Sequence, residues 1–578
     1  MRNTLFLGAA IVALAIPAAA AAQETTSSIR GNVTANGAPV AGATVIATNV
    51  PSGTRSQTTT SADGSFALNG LRVGGPYTVE VTSDQGTKTV SDIYTVVQQA
   101  FTLPVELASE GSGDIVVTAS AIRGAGSRSD GPQTTLTQAD IRKVASVNRD
   151  IRDIQRRDPF ATLDLSNSGD RGGAVSFAGV NPRFNRFTIN GVTVGDSFGL
   201  NQDASPTNRG PVPFDALAQV SVSIAPYDFR QSGFQGGAID AVLASGTNTF
   251  HGTGFYSQNT DGLSGDRIGS TTIITPKYKS ETYGARLDGP IIKDKLFFMV
   301  TGERNTDPRP FSTLLSQVPN VNQGIIDNIV GIAKNGYNID AGSVLTINNR
   351  KDEKIVGRID WNITDGHRLS LSYINAFDSL VSQNNTSVNS ASPQYGLSTN
   401  AYALTELLRA GIVQINSDWS DRFSTEIRGS YNWTRRGQEP LGGRPNGQLQ
   451  VCNDAASTGV TTGCSTGVPR ITFGPDNFRQ TNQLFFDTWA GSFLGRYRAG
   501  DHEVKLLVDV ATNRTFNNFV PNSLGSWYFD SLQDFQNKQA NTLTYAATIA
   551  PAAADFKYTR YTFGLQDDWQ ITDTLKFS

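Results

Sequence analysis

The stretch Lys354-Ile355-Val356-Gly357-Arg358-Ile359-Asp360-Trp361-Asn362-Ile363 decides the fold. Ile355, Gly357, Ile359, Trp361 and Ile363 share one parity, and Lys354, Arg358, Asp360 and Asn362 share the other. Side chains of a strand point alternately to its two faces. One face of this ribbon therefore meets an apolar medium and the other meets water. After a break at 364–366 the pattern resumes, with Leu369, Leu371 and Tyr373 opposite Arg368, Ser370 and Ser372. A further run sets Phe423, Ile427, Tyr431 and Trp433 against Arg422, Ser424, Glu426, Arg428 and Asn432.

The connections between such runs decide which apolar medium is involved. Candidate strands lie at 249–259, 281–289, 295–303, 353–363, 367–377, 405–419, 422–435, 482–498, 502–514, 556–569 and 574 onward. The breaks 290–294, 364–366, 420–421, 499–501 and 570–573 are tight turns, whereas 260–280, 304–352, 378–404, 436–481 and 515–555 are long and polar. A soluble sandwich rarely places all its long loops at one end. A transmembrane β-barrel does, with short periplasmic turns and long outer loops. Trp361, Trp419 and Trp569 each stand beside a short turn, where an interfacial aromatic girdle belongs.

Composition sets outer bounds on function. The 578 residues carry 48 basic and 51 acidic side chains, a net charge of −3, which argues against a nucleic-acid partner. Two cysteines and three histidines (His251, His367, His502) leave little from which to build a metal or thiol site, and the histidines fall near strand ends. No nucleophile elbow, P-loop or HExxH motif occurs, so no catalytic residue, metal or cofactor is expected and the chain is read as a non-enzyme. Arg2, the apolar run Leu5 to Ile16 and the small residues Ala20-Ala21-Ala22 before Gln23 form a secretory signal peptide over 1–22. In an oxidising compartment Cys452 and Cys464, set in a Gly/Thr/Ser-rich loop, either close that loop as a disulfide or remain two separate thiols.

Residues 23–107 hold short β runs broken by turn residues, among them Ala43 to Ala47, Ser65 to Leu68 after Asp63-Gly64, and Tyr77 to Val81. A compact antiparallel sandwich is expected. Gly31, Val33, Pro39, Gly42-Ala43, Val45, Asp63-Gly64, Phe66, Tyr77 and Val79 resemble the carboxypeptidase regulatory-like domain. The stretch contains no histidine, so it lacks the ligand set of a zinc peptidase and reads as a non-catalytic module.

Between sandwich and barrel the texture changes. A linker, Ala108 to Gly113, leads to Asp114-Ile115-Val116-Val117-Thr118-Ala119, then to a helical stretch with Ile141, Val144 and Ile151. Phe187-Thr188-Ile189-Asn190-Gly191-Val192 follows, then Ile224-Ala225-Pro226-Tyr227-Asp228-Phe229-Arg230-Gln231-Ser232-Gly233-Phe234 and Ser245-Gly246-Thr247-Asn248. These segments are similar to those of TonB-dependent outer-membrane receptors, most of all the Oar-like branch. The resemblance implies a TonB box at Asp114, Ile115, Val116, Val117, Thr118 and Ala119, a linker-and-box segment over 108–119, a plug over 120–248 and barrel strands over 249–578. Asn190 stands where the plug's "IDGV" element usually has Asp. It also implies an outer-membrane location with the N-terminal domain in the periplasm, a periplasmic TonB partner, contact with outer-membrane lipid, and an extracellular ligand that could be a chelate, saccharide, peptide or protein. Apical loops around Asp164 to Gly173 and Gly195 to Arg209 supply polar ligand candidates, Asp196, Asp203 and Arg209.

A size check refines the fold class. A plug of this length has an equivalent radius of about 18 Å. Eleven strands would close around only about 11 Å, whereas ~22 strands give about 22 Å. The expected fold is therefore mainly β: an N-terminal sandwich, an α+β plug, and about half of a ~22-stranded barrel, with the rest beyond Leu575 to Ser578. A two-chain barrel is the alternative. TonB-energised uptake through the plugged barrel is the leading function, and surface adhesion without active transport is the other.

Overall fold

The computed structural model describes residues 25–107, 115–118, 127–128, 131–164, 173–195, 205–272, 277–311, 313–460, 462–547, 552–571 and 575–578. The leader, the 108–113 linker, Asp114 and Ala119 lie outside them, as do Asp196, Asp203 and residues 165–172 of the first apical loop.

One 11-stranded sheet dominates, and its strand order follows the chain. Its members are His251–Thr260, Lys279–Ile292, Leu296–Pro310, Ile347–Thr364, His367–Ser382, Tyr402–Ser420, Phe423–Pro440, Asn482–Ala499, His502–Phe519, Ala553–Gln570 and Lys576–Phe577. Each consecutive pair is antiparallel, and the first and last strands do not pair among the described residues. Register keeps like with like: Trp361 faces Leu369, Ile359 faces Leu371 and Gly357 faces Tyr373. The outward row is apolar and exposed (Ile355, Ile359 at 41%, Trp361, Ile363, Leu371, Tyr373), while inward Lys354 is 1% exposed and Asp360, Asn362 and Arg368 are buried. Apolar outside and charge inside inverts the rule for a soluble core, and lipid is the medium that makes it favourable.

The strands run past the expected boundaries at their long-loop ends. Eighteen residues of Ile347–Thr364 rise about 47 Å at ~3.4 Å per residue and ~40° tilt, against an apolar band about 25 Å tall. The excess is polar on both faces (Asn348, Asn349, Arg350, Lys351, Asp352, Glu353), so the alternation that marks the membrane segment fades there.

The inner face is not uniformly polar, contrary to the expectation of a wet lumen wall. Met299, Val356, Ile374, Ala376, Leu408, Ala410 and Ile412 form one apolar cluster with plug residues Phe177, Phe187, Ile189, Val220 and Ile239. The plug sheet runs in the order Gln133–Thr137, Leu217–Ser223, Ala238–Leu243, Arg186–Ile189, Val192–Thr193. The single helical stretch expected around Ile141 to Ile151 is two short helices, Gln138–Lys143 and Ile151–Gln155, because Val144 already caps the first in extended conformation.

The N-terminal sandwich packs its own core from Ile29, Val33, Val45, Phe66, Tyr77, Val79, Val81 and Ile93. At the opposite end of the barrel, four of the long connections are not simple polar loops. A helix, Gln323–Tyr337, and a 5-stranded sheet of Gln394–Gly396, Arg470–Phe473, Gln448–Cys452, Ser526–Phe529 and Thr542–Thr544 join into one cap. Asn322 caps the helix by accepting from Ile325 N at 3.1 Å. Its stripe Ile326, Ile329 and Ala333 packs on Tyr395, Leu449, Val451, Ile471, Phe473, Phe529 and Phe535. Tyr337 stacks on Phe535 at 4.8 Å and donates to its carbonyl at 2.6 Å. Burial pushes the Tyr337 hydroxyl up to about 12. Cys452 and Cys464 are joined as a disulfide at the edge of this cap.

Candidate functional site

The plug is held to the wall by short polar contacts that begin at a tight turn. Asn190 and Gly191 both have positive φ (45° and 71°), as a two-residue hairpin turn of the type favoured by Asn-Gly requires. Asn190 accepts from Leu243 N at 2.9 Å and donates to Ser372 Oγ of the wall at 3.1 Å. An amide can do both where a carboxylate only accepts, which gives a physical reason for Asn at this position. Arg428 donates to Gly191 O at 3.2 Å, Asn432 to Thr193 O at 3.0 Å and Arg358 to Leu243 O at 2.7 Å.

Above this turn lies an ionic belt that sequence reading did not assemble. Arg149 bridges Glu303 of the wall at 2.7 Å and Asp215 of the plug at 2.6 Å. Its guanidinium lies 4.1 Å from the Phe255 ring centroid. Arg209 is buried 3.5 Å from Asp352 and 4.0 Å from Glu303, and Lys354 reaches Asp352 at 3.1 Å. Asn208 N donates to Asp378 at 2.6 Å. Of the three ligand candidates, then, Arg209 braces plug against wall, and Asp196 and Asp203 lie outside the described residues. Arg209 Nε is buried with no hydrogen-bond partner among the described residues. Nothing in the chain order marks Arg149 as functional, since its partners are 66 and 154 residues away.

Deeper in the plug, Asp150 caps the Ile151–Gln155 helix by accepting from Arg152 N at 2.9 Å. Burial alone would raise its carboxyl, but the Arg152 hydrogen bonds and charge outweigh it and hold the pKa below the ordinary 3.8.

The segment expected as a TonB box is extended over Ile115–Thr118. It pairs in parallel with the sandwich strand Gly86–Thr95, Ile115 against Lys88 through Thr118 against Ser91, and stands at the end of that sheet. At the short-turn end, His367 lies against Trp419 (5.0 Å) and His502 against Trp569 (5.2 Å), which places these histidines in the aromatic girdle.

Comparison with known proteins agrees with this architecture. A model of the carboxypeptidase regulatory-like domain matches residues 28–108, and one of the outer membrane beta barrel domain matches 242–335 and 330–578. The TonB-dependent transporter Oar of Myxococcus xanthus is 31% identical over 216 residues, 34% of this chain and 18% of that protein. The crystal structure of the outer membrane transporter YddB from Escherichia coli superposes with a TM-score of 0.52 at 14% identity, covering 76% of this chain and 54% of that one, a likeness of fold alone. The chain thus spans about half the length of the solved relative and a smaller part of the curated one.

Proposed function

The chain belongs to the outer membrane beta barrel domain family, and from that premise we propose that it is a ligand receptor and transporter energised by a periplasmic TonB protein. It is an outer-membrane protein, and the membrane it occupies holds no nucleotide to drive uptake. Force has to arrive from the periplasm. The observation that carries the reading is the extended Ile115–Thr118 segment, an edge strand whose free side can add a strand of another protein.

The path of that force runs into the plug at one edge of its sheet. The segment leads to Gln133–Thr137, an edge strand of the plug sheet that pairs with one neighbour among the described residues, Gln133 against Ser223 through Thr137 against Gln219. Tension entering at Gln133 loads these pairs before it reaches the Arg149 and Arg209 belt. Peeling the edge strand opens the plug without first breaking buried ion pairs, each of which costs roughly 3–5 kcal/mol to disrupt from one side. Asp196, Asp203 and Arg209 remain the proposed ligand set, with Arg209 acting from its buried place in the belt.

Capture by the purified C-terminal domain of TonB tests the box. Val117→Pro removes one ladder donor and should weaken capture at least tenfold while the chain stays in the membrane in normal amount. Equal capture by the variant and the parent chain would discard the box assignment and leave surface attachment as the better account.

A further inference from the structure

The N-terminal sandwich meets the barrel just before its first strand and beside three of its short turns. Near the first strand Asn248 N donates to Pro51 O at 2.8 Å. Beyond it, Asn362 donates to Thr54 Oγ1 at 2.9 Å, and Arg368 to Ser56 Oγ at 2.7 Å and Asn69 O at 3.4 Å. Further round, Thr59 bonds Asp421 and Arg30 pairs with Glu503. These partners stretch from the first long strand to the ninth, and Asn362, Arg368 and Glu503 are buried lumen-face side chains. The sandwich also touches the underside of the plug. Gln219 accepts from Val97 N at 2.9 Å and donates to Thr95 O at 3.0 Å, while Arg72 donates to Ser245 Oγ at 2.9 Å.

We propose that the sandwich is a second gate, seated in the periplasmic mouth of the barrel in series with the plug. Two features make it a removable stopper rather than an extension of the plug. Its apolar core is complete in itself and separate from the cluster that joins plug and wall. Its hydrogen bonds and ion pair with the barrel join polar groups that water can satisfy once the domain leaves, the character of a reversible interdomain surface. A ligand that passes the plug still meets a folded domain across the exit, so passage requires the sandwich to undock. The release mechanism rests on the proposed TonB coupling: Ile115–Thr118 lies on the sandwich's own strand Gly86–Thr95, so a pull on that segment loads the sandwich before it reaches the plug.

The test needs neither TonB nor the natural ligand. The full chain is expressed in the outer membrane, and influx of a dye-labelled oligosaccharide too large for porins is compared at equal amounts of surface-exposed protein. Arg149→Ala with Arg209→Ala loosens the plug, and Arg368→Ala with Glu503→Gln loosens the sandwich. The four changes together should leak at least about tenfold more than the sum of the two pairs, equivalent to about 1.4 kcal/mol of coupling. A leak no greater than that sum overturns the second gate. Adding Thr54→Cys with Asn362→Cys to the combined variant should form a cross-link that restores tightness until reductant is supplied, with the same variant lacking those cysteines as control. No cross-link, or a cross-link that leaves the leak unchanged, also overturns it. Failure here leaves the Val117→Pro result standing, and failure there leaves this one standing.

Discussion

The membrane sheet and the sheet of the outer cap are built from the same kinds of residues and face opposite ways. In the wall, Ile355, Ile359 and Ile363 look outward and Lys354 and Asp360 are buried. In the cap, Leu449, Val451, Ile471 and Phe473 are buried in a common core. Alternation along a strand specifies a ribbon with two unlike faces and nothing more. What assigns a face to lipid or to a protein core is the connectivity: short turns at one end and a plug on the polar side for the wall, a helix on the apolar side for the cap.

The largest expected effect would separate these two environments. Phe473→Ala empties a fully buried cap position and should cost roughly 3–5 kcal/mol. The cap should become sensitive to added protease while the heat-modifiable migration of the barrel persists. If barrel migration is lost as well, cap and wall fold as one unit and the contrast between them fails. Next comes Ile359→Arg, which puts a charge on the lipid face at a cost of roughly 2–4 kcal/mol. It should lower the assembled fraction, read by the same gel assay. Full assembly would mean that this face meets water.

The smallest effect concerns the plug, which shares a core with the wall yet carries its own helix caps. Asp150→Ala removes the cap of Ile151–Gln155 and should cost about 1 kcal/mol. Because the Asp150 pKa is depressed in the folded state, its contribution is full above the ordinary 3.8 and lost as pH falls through the folded value. Amide protection in the plug, taken relative to the intrinsic exchange rate at each pH, should therefore fall on acidification below about pH 4 in the parent chain and less so in the variant. Equal acid sensitivity in both would remove Asp150 from the account.

The ten long strands of the wall were legible because they carry a window of alternation inside the membrane. The cap strands were not, because runs such as Gln394–Gly396 and Arg470–Phe473 are too short for a pattern and pair in parallel across more than seventy residues. The cap helix did leave a signal: Asn322 followed by Ile325, Ile326, Ile329, Val330 and Ala333 has helical spacing. It was masked by the polar composition of the connection around it. The apolar patch on the inner wall also had a trace, since Val356 breaks the polar parity of the stretch Lys354 to Ile363. The ionic belt had none, because only the folded chain brings Arg149, Arg209 and Glu303 together. The seating of the sandwich in the barrel mouth was equally silent, since Arg30, Ser56 and Thr54 are ordinary surface residues until Glu503, Arg368 and Asn362 meet them.

Phe229, on the chain leaving the plug, sits against Gly564 of the last long strand, where an added Cβ would come within 2.3 Å of the ring. The backbone N of Phe229 itself donates to Gln566 Oε1 at 3.1 Å. An aromatic key in a slot cut by a missing side chain fixes azimuth: the inner domain cannot swivel about the pore axis without first withdrawing that ring. Rotation of the inner domain is thereby disfavoured against axial displacement or partial unravelling.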